Sequence, residues 1–184
     1  ARVPYGPRTK EEITIFGDQI SEFLIDKGVK AIVVACNTSS SVSLEHLLDK
    51  YPSLPFVGVI EPGITTALEV TKNGKVGVIA TQATINSEAH KSLLLARKPD
   101  IGVYPMACPK FVPLVEKGEI EGPEAKMAAI KYLTPLKDAG IDTLILGCTH
   151  YPFLINVIRD VLGPEVNIVD PALETVRQTK ELLQ

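Results

Sequence analysis

Short apolar segments alternate with longer amphipathic segments along the whole chain. Six runs rich in Val and Ile predict strands at 31–35, 56–60, 76–80, 101–104, 144–146 and 166–169. The stretches between them have helical spacing and predict helices at about 10–26, 41–50, 64–71, 85–97, 109–116, 123–138, 153–161 and 172–183. Strands that are apolar throughout and separated by helices are typical of parallel βα units. The pattern therefore predicts an α/β protein with mainly parallel sheets.

One structural unit occurs twice. The apolar run 31–35 leads into Cys36, and the apolar run 143–147 leads into Cys148. Each run follows a helical pattern closed by a glycine, and each is followed by a hydroxyl residue within two positions and by another helical pattern. In open parallel sheets, ligands bind beyond the carboxyl ends of the strands. Two such units facing each other would place two thiols across one cleft, which suits proton removal on one side of a carbon and proton donation on the other. Racemisation is the simplest such reaction.

The duplication also predicts the domain organisation. Together with the turn-forming residues at 61–63, it predicts two similar three-layer domains with the active site in the cleft between them. We expect residues 1–62 to form the first domain and residues 63–171 the second, with a final helix at 172–184 that returns to the first. The first domain has only two predicted strands and the chain opens on a turn-like segment, so we expect terminal segments to be missing at both ends.

Composition narrows the class of protein. The 184 residues carry a net charge of -3, which argues against a protein that binds nucleic acid through a basic surface. Three cysteines without close spacing fit neither a disulfide framework nor paired zinc ligands, and free thiols imply a reducing compartment. No apolar run approaches the roughly 20 residues needed to cross a bilayer, and the first residues lack the apolar core of a signal peptide. We therefore expect a cytoplasmic protein without a membrane partner.

The two repeated cysteines are the leading candidates for chemistry. A thiolate is the basic species of cysteine, and a helix N-terminus stabilises it; both Cys36 and Cys148 precede a predicted helix. Asn37, Thr38 and Thr149 lie beside them and, with nearby main-chain amides, could bind a carboxylate. A single cysteine at a strand end is more often a small buried hydrophobic residue, but the repeated context favours function.

Other candidates have simpler alternatives. We expect Cys108, which precedes Pro109, to be a packing residue. His150 could be a general acid, an orienting group for Cys148 or a helix cap. Zinc could use Cys36, Cys148 and His150, but short-spaced ligand pairs are absent, so we predict no metal site.

Three further residues have weaker signals. Thr81 follows an apolar strand and Thr84 lies three residues later, so both are placed to cap a helix, and both could reach a substrate carboxylate if that strand ends beside Cys148. Glu116 follows an apolar stretch and is, from its own surroundings, a surface residue at a helix end.

The motifs together resemble one family, the bacterial glutamate racemases. The resemblance is in residues 4–6, 35–38, 61–63, Thr81 with Thr84, 107–109 leading to 113–116, and 147–152. It implies a cytoplasmic enzyme that makes D-glutamate for peptidoglycan without pyridoxal phosphate, metal or nucleotide at its active site. Its partner is then the small-molecule substrate glutamate, with no nucleic acid and no membrane, and a homodimer is left open. The family's opening strand, which ends in Asp-Ser-Gly, has no counterpart in this sequence.

The resemblance also implies a role for each site residue. Cys36 and Cys148 are the two acid/base residues, each serving one face of the α-carbon, while Glu116 and His150 support Cys148. The positions that match substrate-binding residues are Pro4, Tyr5, Gly6, Asn37, Thr38, Thr81, Thr84 and Thr149.

Two alternative functions stay open. The first is another enzyme of the same superfamily, such as an aspartate racemase, a decarboxylase or an isomerase, which a panel of substrates would distinguish. The second is a non-catalytic, two-domain amino-acid-binding protein. Many such proteins work in oxidising compartments, where paired free thiols would be oxidised.

Overall fold

The computed structural model describes Tyr5 and residues 8–184. Its elements, in chain order, are α1 Lys10–Asp26, β1 Ile32–Val34, α2 Asn37–Val42, α3 Leu44–Lys50, β2 Phe56–Gly58, α4 Ile60–Val70, β3 Lys75–Ala80, α5 Gln82–Asn86, α6 Ala89–Arg97, β4 Gly102–Ala107, α7 Phe111–Glu116, α8 Pro123–Asp138, β5 Thr143–Gly147, a 3₁₀ turn at Tyr151–Leu154, α9 Ile155–Leu162, β6 Asn167–Val169 and α10 Ala172–Leu182.

The strands form two parallel sheets within the described part of the chain. β1 pairs with β2, and the second sheet has the strand order β4-β3-β5-β6. Every predicted strand is present, and each is followed by a helix or a 3₁₀ turn. The prediction of an α/β protein with parallel sheets is therefore confirmed. None of the helices described is long and apolar enough to cross a membrane.

Both faces of the four-stranded sheet are covered. Successive strand residues point to opposite faces, so Leu144 and Leu146 pack against α8 and α9, whereas Ile145 packs with residues of α4 and α6. Residues 76–80 of β3 and 143–147 of β5 are buried on both faces, which is why these two central strands are largely apolar. The carboxyl ends of the strands are left as the place where polar side chains can meet.

Helix α2 begins just after β1 and consists largely of small polar residues. Asn37, Thr38, Ser39 and Ser40 are all buried, and their size lets α2 lie close to its neighbours. The Ser40 hydroxyl donates to the Val34 carbonyl oxygen at 2.9 Å and accepts from the Val59 amide at 3.3 Å. These bonds fix α2 relative to the ends of β1 and β2.

Helix α4 connects the two sheets. The sequence predicts a junction between domains near residue 62, and residues 61–63 lie in the first turn of α4, which begins at Ile60. Proline is tolerated in the first helical turn because the amide that it lacks has no partner there. Helix α10 packs against both α4 and β2. The division into domains at residue 62, with the last helix assigned to the first domain, stays a prediction.

Three predicted helices differ from the structure. The segment 41–50 belongs to two helices, α2 and α3, which meet at Ser43. The segment 85–97 is likewise split between α5 and α6, because Glu88 adopts a left-handed backbone conformation with φ of 54°. The helix predicted from residue 153 begins with a 3₁₀ turn at Tyr151.

Candidate active site

The candidate residues lie beyond the carboxyl ends of β1, β3 and β5. Cys36 follows β1 by two residues, Thr81 directly follows β3 and Cys148 directly follows β5. Since β3 and β5 are neighbours, with Ala80 paired to Gly147, Thr81 and Cys148 start from adjacent strand ends.

Cys36 is the N-cap residue of α2. Its carbonyl oxygen accepts from the Ser40 amide at 2.8 Å, its backbone is extended, and its side chain is half-buried. The thiol is thus at the N-terminal end of a helix, as the sequence predicts.

Cys148 is more deeply buried than Cys36. Its side chain is buried with the apolar residues between the sheet and α8 and α9. Burial raises the pKa of the thiol to about 11, a hydrogen bond from the His150 main chain lowers it in part, and negative charge on Cys36 raises it further. The expectation that a helix N-terminus would favour a thiolate here is wrong. A 3₁₀ turn, not an α-helix, follows Cys148, and the effect of burial on the pKa outweighs any stabilisation of the thiolate by that turn.

The interaction between the two sulfur atoms has a chemical consequence. The two thiols are close enough to interact electrostatically, so ionising both at once is unfavourable. One proton acceptor and one proton donor are what transfer across a single carbon requires.

Cys148 is connected to a carboxylate through His150. The Cys148 Sγ atom lies 3.8 Å from His150 Nδ1, and His150 Nε2 lies 2.6 Å from Glu116 Oε1. With Nε2 protonated and donating to Glu116, Nδ1 either accepts from the Cys148 thiol or, in the imidazolium, donates to its thiolate. The same ring can therefore accompany both protonation states of Cys148.

Three threonine hydroxyls form a cluster between α2 and α5. The Oγ1 atoms of Thr38, Thr81 and Thr84 are each 3.0 Å from the other two. Thr81 is also the N-cap of α5 and accepts from the Thr84 amide at 3.3 Å. The cluster brings together residues that follow β1 and β3, and its hydroxyls can donate to a carboxylate.

Asn37 supplies an unpaired acceptor next to Cys36. The residue is 2% exposed, and no hydrogen-bond donor among the described residues contacts its Oδ1 atom. A buried amide oxygen without a donor is costly, so this position is suited to receive a donor from a ligand.

The remaining sequence-predicted residues are less connected. Thr149 is exposed, and Tyr5 is half-buried with its ring centroid 6.0 Å from that of Phe16. Pro4 and Gly6 lie outside the described residues.

Tyr151 is a supporting residue that sequence reasoning overlooked. Its side chain is fully buried, its hydroxyl donates to the Cys108 carbonyl oxygen at 3.2 Å, and its ring packs edge-on against Phe111. It holds the 3₁₀ turn that follows Cys148. An aromatic residue directly after Cys-Thr-His was the available signal.

Cys108 is a packing residue, as the sequence predicts. It is fully buried in the apolar cluster, and burial raises the pKa of its thiol far above the usual range. We expect Cys108→Ala to lower the free energy of unfolding by about 1 kcal/mol and to leave turnover unchanged. Urea unfolding and an activity assay on the same preparation test this. Loss of activity in a folded Cys108→Ala protein would contradict the packing role.

Across Tyr5 and residues 8–184, no group of three or more His, Cys, Asp and Glu side chains is arranged to hold a metal ion.

Comparison with known proteins identifies relatives over the whole chain. A profile of the family described as Asp/Glu/Hydantoin racemase matches residues 1–179. The glutamate racemase of Desulforudis audaxviator (strain MP104C) is 47% identical over 180 residues, which cover 98% of this chain and 66% of that protein.

Solved structures agree. A crystal structure of a glutamate racemase isoform from Bacillus anthracis matches with a TM-score of 0.94 and 41% identity, covering 100% of this chain and 68% of that one. The glutamate racemase of Francisella tularensis in complex with D-glutamate matches with a TM-score of 0.93 and 37% identity, covering 99% and 67%. The chain thus spans about two thirds of the length of these relatives.

Proposed function

Since the chain belongs to the Asp/Glu/hydantoin racemase family and, within it, to the glutamate racemases, we propose that the full-length protein interconverts L- and D-glutamate. In this proposal Cys36 and Cys148 transfer protons at opposite faces of the α-carbon. The observation that supports it most directly is the position of two free thiols beyond the carboxyl ends of β1 and β5.

The proton balance follows from one thiolate and one thiol. The thiolate takes the α-proton of glutamate, the electron pair stays on the substrate as a carbanion, and the opposite thiol donates its proton to the other face. Each turnover therefore exchanges the protonation states of Cys36 and Cys148. Hydroxyls and amides aimed at the α-carboxylate stabilise the charge that develops there.

His150 and Glu116 assist Cys148 in this scheme. Burial favours the thiol form of Cys148, so it is ready to donate a proton, whereas acting as the proton acceptor requires that its thiolate be stabilised. The His150 ring, held at 2.6 Å by Glu116, can supply that stabilisation as an imidazolium. Neither residue needs to contact glutamate for this role.

Substrate binding is assigned to the polar residues beside the thiols. The free Oδ1 atom of Asn37 can accept from the α-ammonium group of glutamate, and the hydroxyls of Thr38, Thr81 and Thr84 can donate to a carboxylate. The Francisella relative in complex with D-glutamate supports the choice of substrate. For Pro4, Tyr5, Gly6 and Thr149, family resemblance alone supports a role in binding.

The setting of the reaction is part of the proposal. The product D-glutamate is expected to serve peptidoglycan synthesis in the cytoplasm, which family resemblance supports. The three free cysteines are suited to a reducing compartment.

Racemisation in heavy water tests the two-thiol mechanism. The full-length protein should convert either enantiomer of glutamate, followed by circular dichroism, and the product should carry deuterium at the α-carbon in the first turnovers. Substrate recovered at that stage should carry much less, because the thiol that donates has exchanged with solvent while the thiolate that accepts holds the substrate proton.

Equal early labelling of both enantiomers would indicate a single base and refute the mechanism. Racemisation of aspartate but not of glutamate would show that the proposed substrate is wrong.

A further inference from the structure

His90 is a polar residue in an apolar position. It lies one helical turn before Leu94 on the inward face of α6, and Leu94 packs with Val78 and Ile145 of the sheet. His90 is 4% exposed, and its Nε2 atom has no hydrogen-bond partner in the described part of the chain. A buried polar nitrogen without a partner is unfavourable, and an apolar side chain would avoid that cost. Packing alone therefore does not explain a histidine here.

The imidazole packs against the main chain directly before Cys148. A β-carbon placed on Gly147 would lie 3.5 Å from His90 Cε1, 3.0 Å from the Ala80 β-carbon and 2.8 Å from the Ile79 carbonyl oxygen. The space where Gly147 would carry a side chain is thus occupied by β3 together with the His90 ring. Because Gly147 is the residue before Cys148, its position helps to set that of the thiol.

His90 also borders a cavity. A cavity of about 80 Å³ separates α6 from α5 and β4, and His90 lines it together with Thr84. His90 therefore borders both Gly147, which precedes Cys148, and Thr84 of the hydroxyl cluster.

The backbone before His90 is strained. Glu88 is the one residue other than glycine with positive φ among those described, and it ends α5 and starts α6 in a new direction two residues before His90. A left-handed conformation is unfavourable for a residue with a β-carbon, and such strain is found where the surrounding structure or function requires it. Glu88 and Lys91 form an ion pair at 3.0 Å at the edge of the same cavity.

We propose that His90 is a positioning residue that holds Cys148 in register for proton transfer by packing against Gly147. It does not contact the substrate, and the proposal rests on the racemase function proposed above. Burial lowers the pKa of His90 to about 4, so the ring is neutral at physiological pH and can pack against main chain without a counter-charge. Leucine lacks the ring atom that lies nearest to the β-carbon position of Gly147, so we expect it to hold Gly147 less firmly.

The test compares His90→Leu, His90→Phe and the control His46→Leu in the full-length protein. His90→Leu should lower kcat about 10-fold or more, because small misplacement of a catalytic group is costly, and should change KM for glutamate by less than about twofold. The melting temperature should not fall, since an unpartnered polar group has been removed. His90→Phe keeps a flat ring and should recover part of kcat. His46 is on the surface of α3, 3.0 Å from Asp18, and its replacement should leave kcat unchanged.

Isotope effects distinguish positioning of Cys148 from general damage. In His90→Leu, the deuterium isotope effect on kcat/KM from α-deuterated glutamate should rise for the enantiomer whose proton Cys148 removes and stay constant for the other. A fall in kcat that parallels a fall in melting temperature, or equal changes for both enantiomers, would overturn the proposal, as would unchanged kcat.

A measurement that does not need turnover separates this proposal from the racemase function. In a protein with Cys36→Ala and Cys108→Ala, Cys148 is the remaining thiol among the three cysteines. His90→Leu should accelerate its alkylation by iodoacetamide at least about threefold, because loosening Gly147 exposes the buried sulfur. An unchanged rate would refute the positioning role. If the wild-type protein does not racemise glutamate, but His90→Leu still changes the alkylation rate of Cys148, only the proposed function is refuted.

Discussion

Replacing Cys36 or Cys148 by Ala should reduce glutamate racemisation by at least about 1,000-fold, since each thiol supplies an acid and a base that no neighbouring group replaces. Both variants should stay folded, because Cys36 is half-buried at a helix end and Cys148 loses only a small side chain from the core. Circular dichroism of glutamate measures turnover, and urea unfolding measures stability. Cys108→Ala is the matched control, since it removes a thiol from the same region without changing the proposed chemistry.

The two variants should differ in partial reactions. With one thiol left, the protein can still exchange the α-proton of one enantiomer with solvent without converting it. Cys36→Ala should therefore exchange the enantiomer that Cys148 deprotonates, and Cys148→Ala the opposite one. If either variant exchanges both enantiomers at similar rates, the assignment of one thiol to each face is wrong. If both retain racemase activity, neither cysteine is the base.

The sheet and the longest helices could be predicted from the sequence because their patterns are strong. α1 and α8 begin and end at the predicted residues, 10–26 and 123–138, since a capping threonine precedes the first and proline starts the second. β4 continues to Ala107, although the prediction stopped before Pro105. Proline lacks the amide needed inside a sheet, but among the described residues β4 is an edge strand that pairs with β3 alone, so Pro105 is tolerated there.

The helix breaks could not be predicted because they depend on local conformations without a sequence signal. Glu88 is neither glycine nor asparagine, so nothing in the sequence indicated a left-handed residue. At Ser43 the side chain donates to the Ser39 carbonyl oxygen at 2.8 Å, a local bond that competes with regular helix geometry.

Much of the candidate site could be predicted because parallel strands end at one edge of a sheet. That rule places Thr81 and Cys148 at adjacent strand ends, but it does not bring Thr38, which follows β1 of the other sheet, to Thr81. The low polarity around Cys148 and the contact of His90 with Gly147 depend on tertiary packing, which the order of residues does not display. The sequence therefore indicated both thiols but not the deeper burial of Cys148.

Asp142→Ala should lower the free energy of unfolding by about 3 kcal/mol, because it removes the charged acceptor of four hydrogen bonds. Asp142 Oδ1 accepts from the Thr71 and Thr143 hydroxyls at 2.7 and 2.9 Å, and Oδ2 accepts from the amides of Lys72 and Asn73 at 2.6 and 2.7 Å. The carboxylate thus ties the loop before β3 to the start of β5. Urea unfolding at neutral pH measures the loss.

The pH dependence gives this prediction a direction. Burial alone raises the pKa of Asp142, but hydrogen bonds from the Asn73 main chain, Thr71, Lys72 and Thr143 outweigh it and hold the pKa below its usual value. An acid with a lowered pKa in the folded state stabilises the protein above its unfolded pKa of about 3.9 and loses that contribution as the pH falls through the folded value. The difference in stability between wild type and Asp142→Ala should therefore be constant near neutral pH and should shrink below about pH 4.

Controls separate this network from the site at the other end of the strands. Asp142→Asn keeps the shape and should cost less than Asp142→Ala, because an amide retains one acceptor. Asp138→Ala changes an exposed aspartate near the end of α8 and should alter stability by less than about 1 kcal/mol. Since Asp142 lies at the amino end of β5, and Cys148 at its carboxyl end, KM for glutamate should not change in a folded Asp142→Ala protein. If Asp142→Ala lowers the free energy of unfolding no more than Asp138→Ala, the four hydrogen bonds make no net contribution to stability. Water would then replace the carboxylate at no cost in free energy.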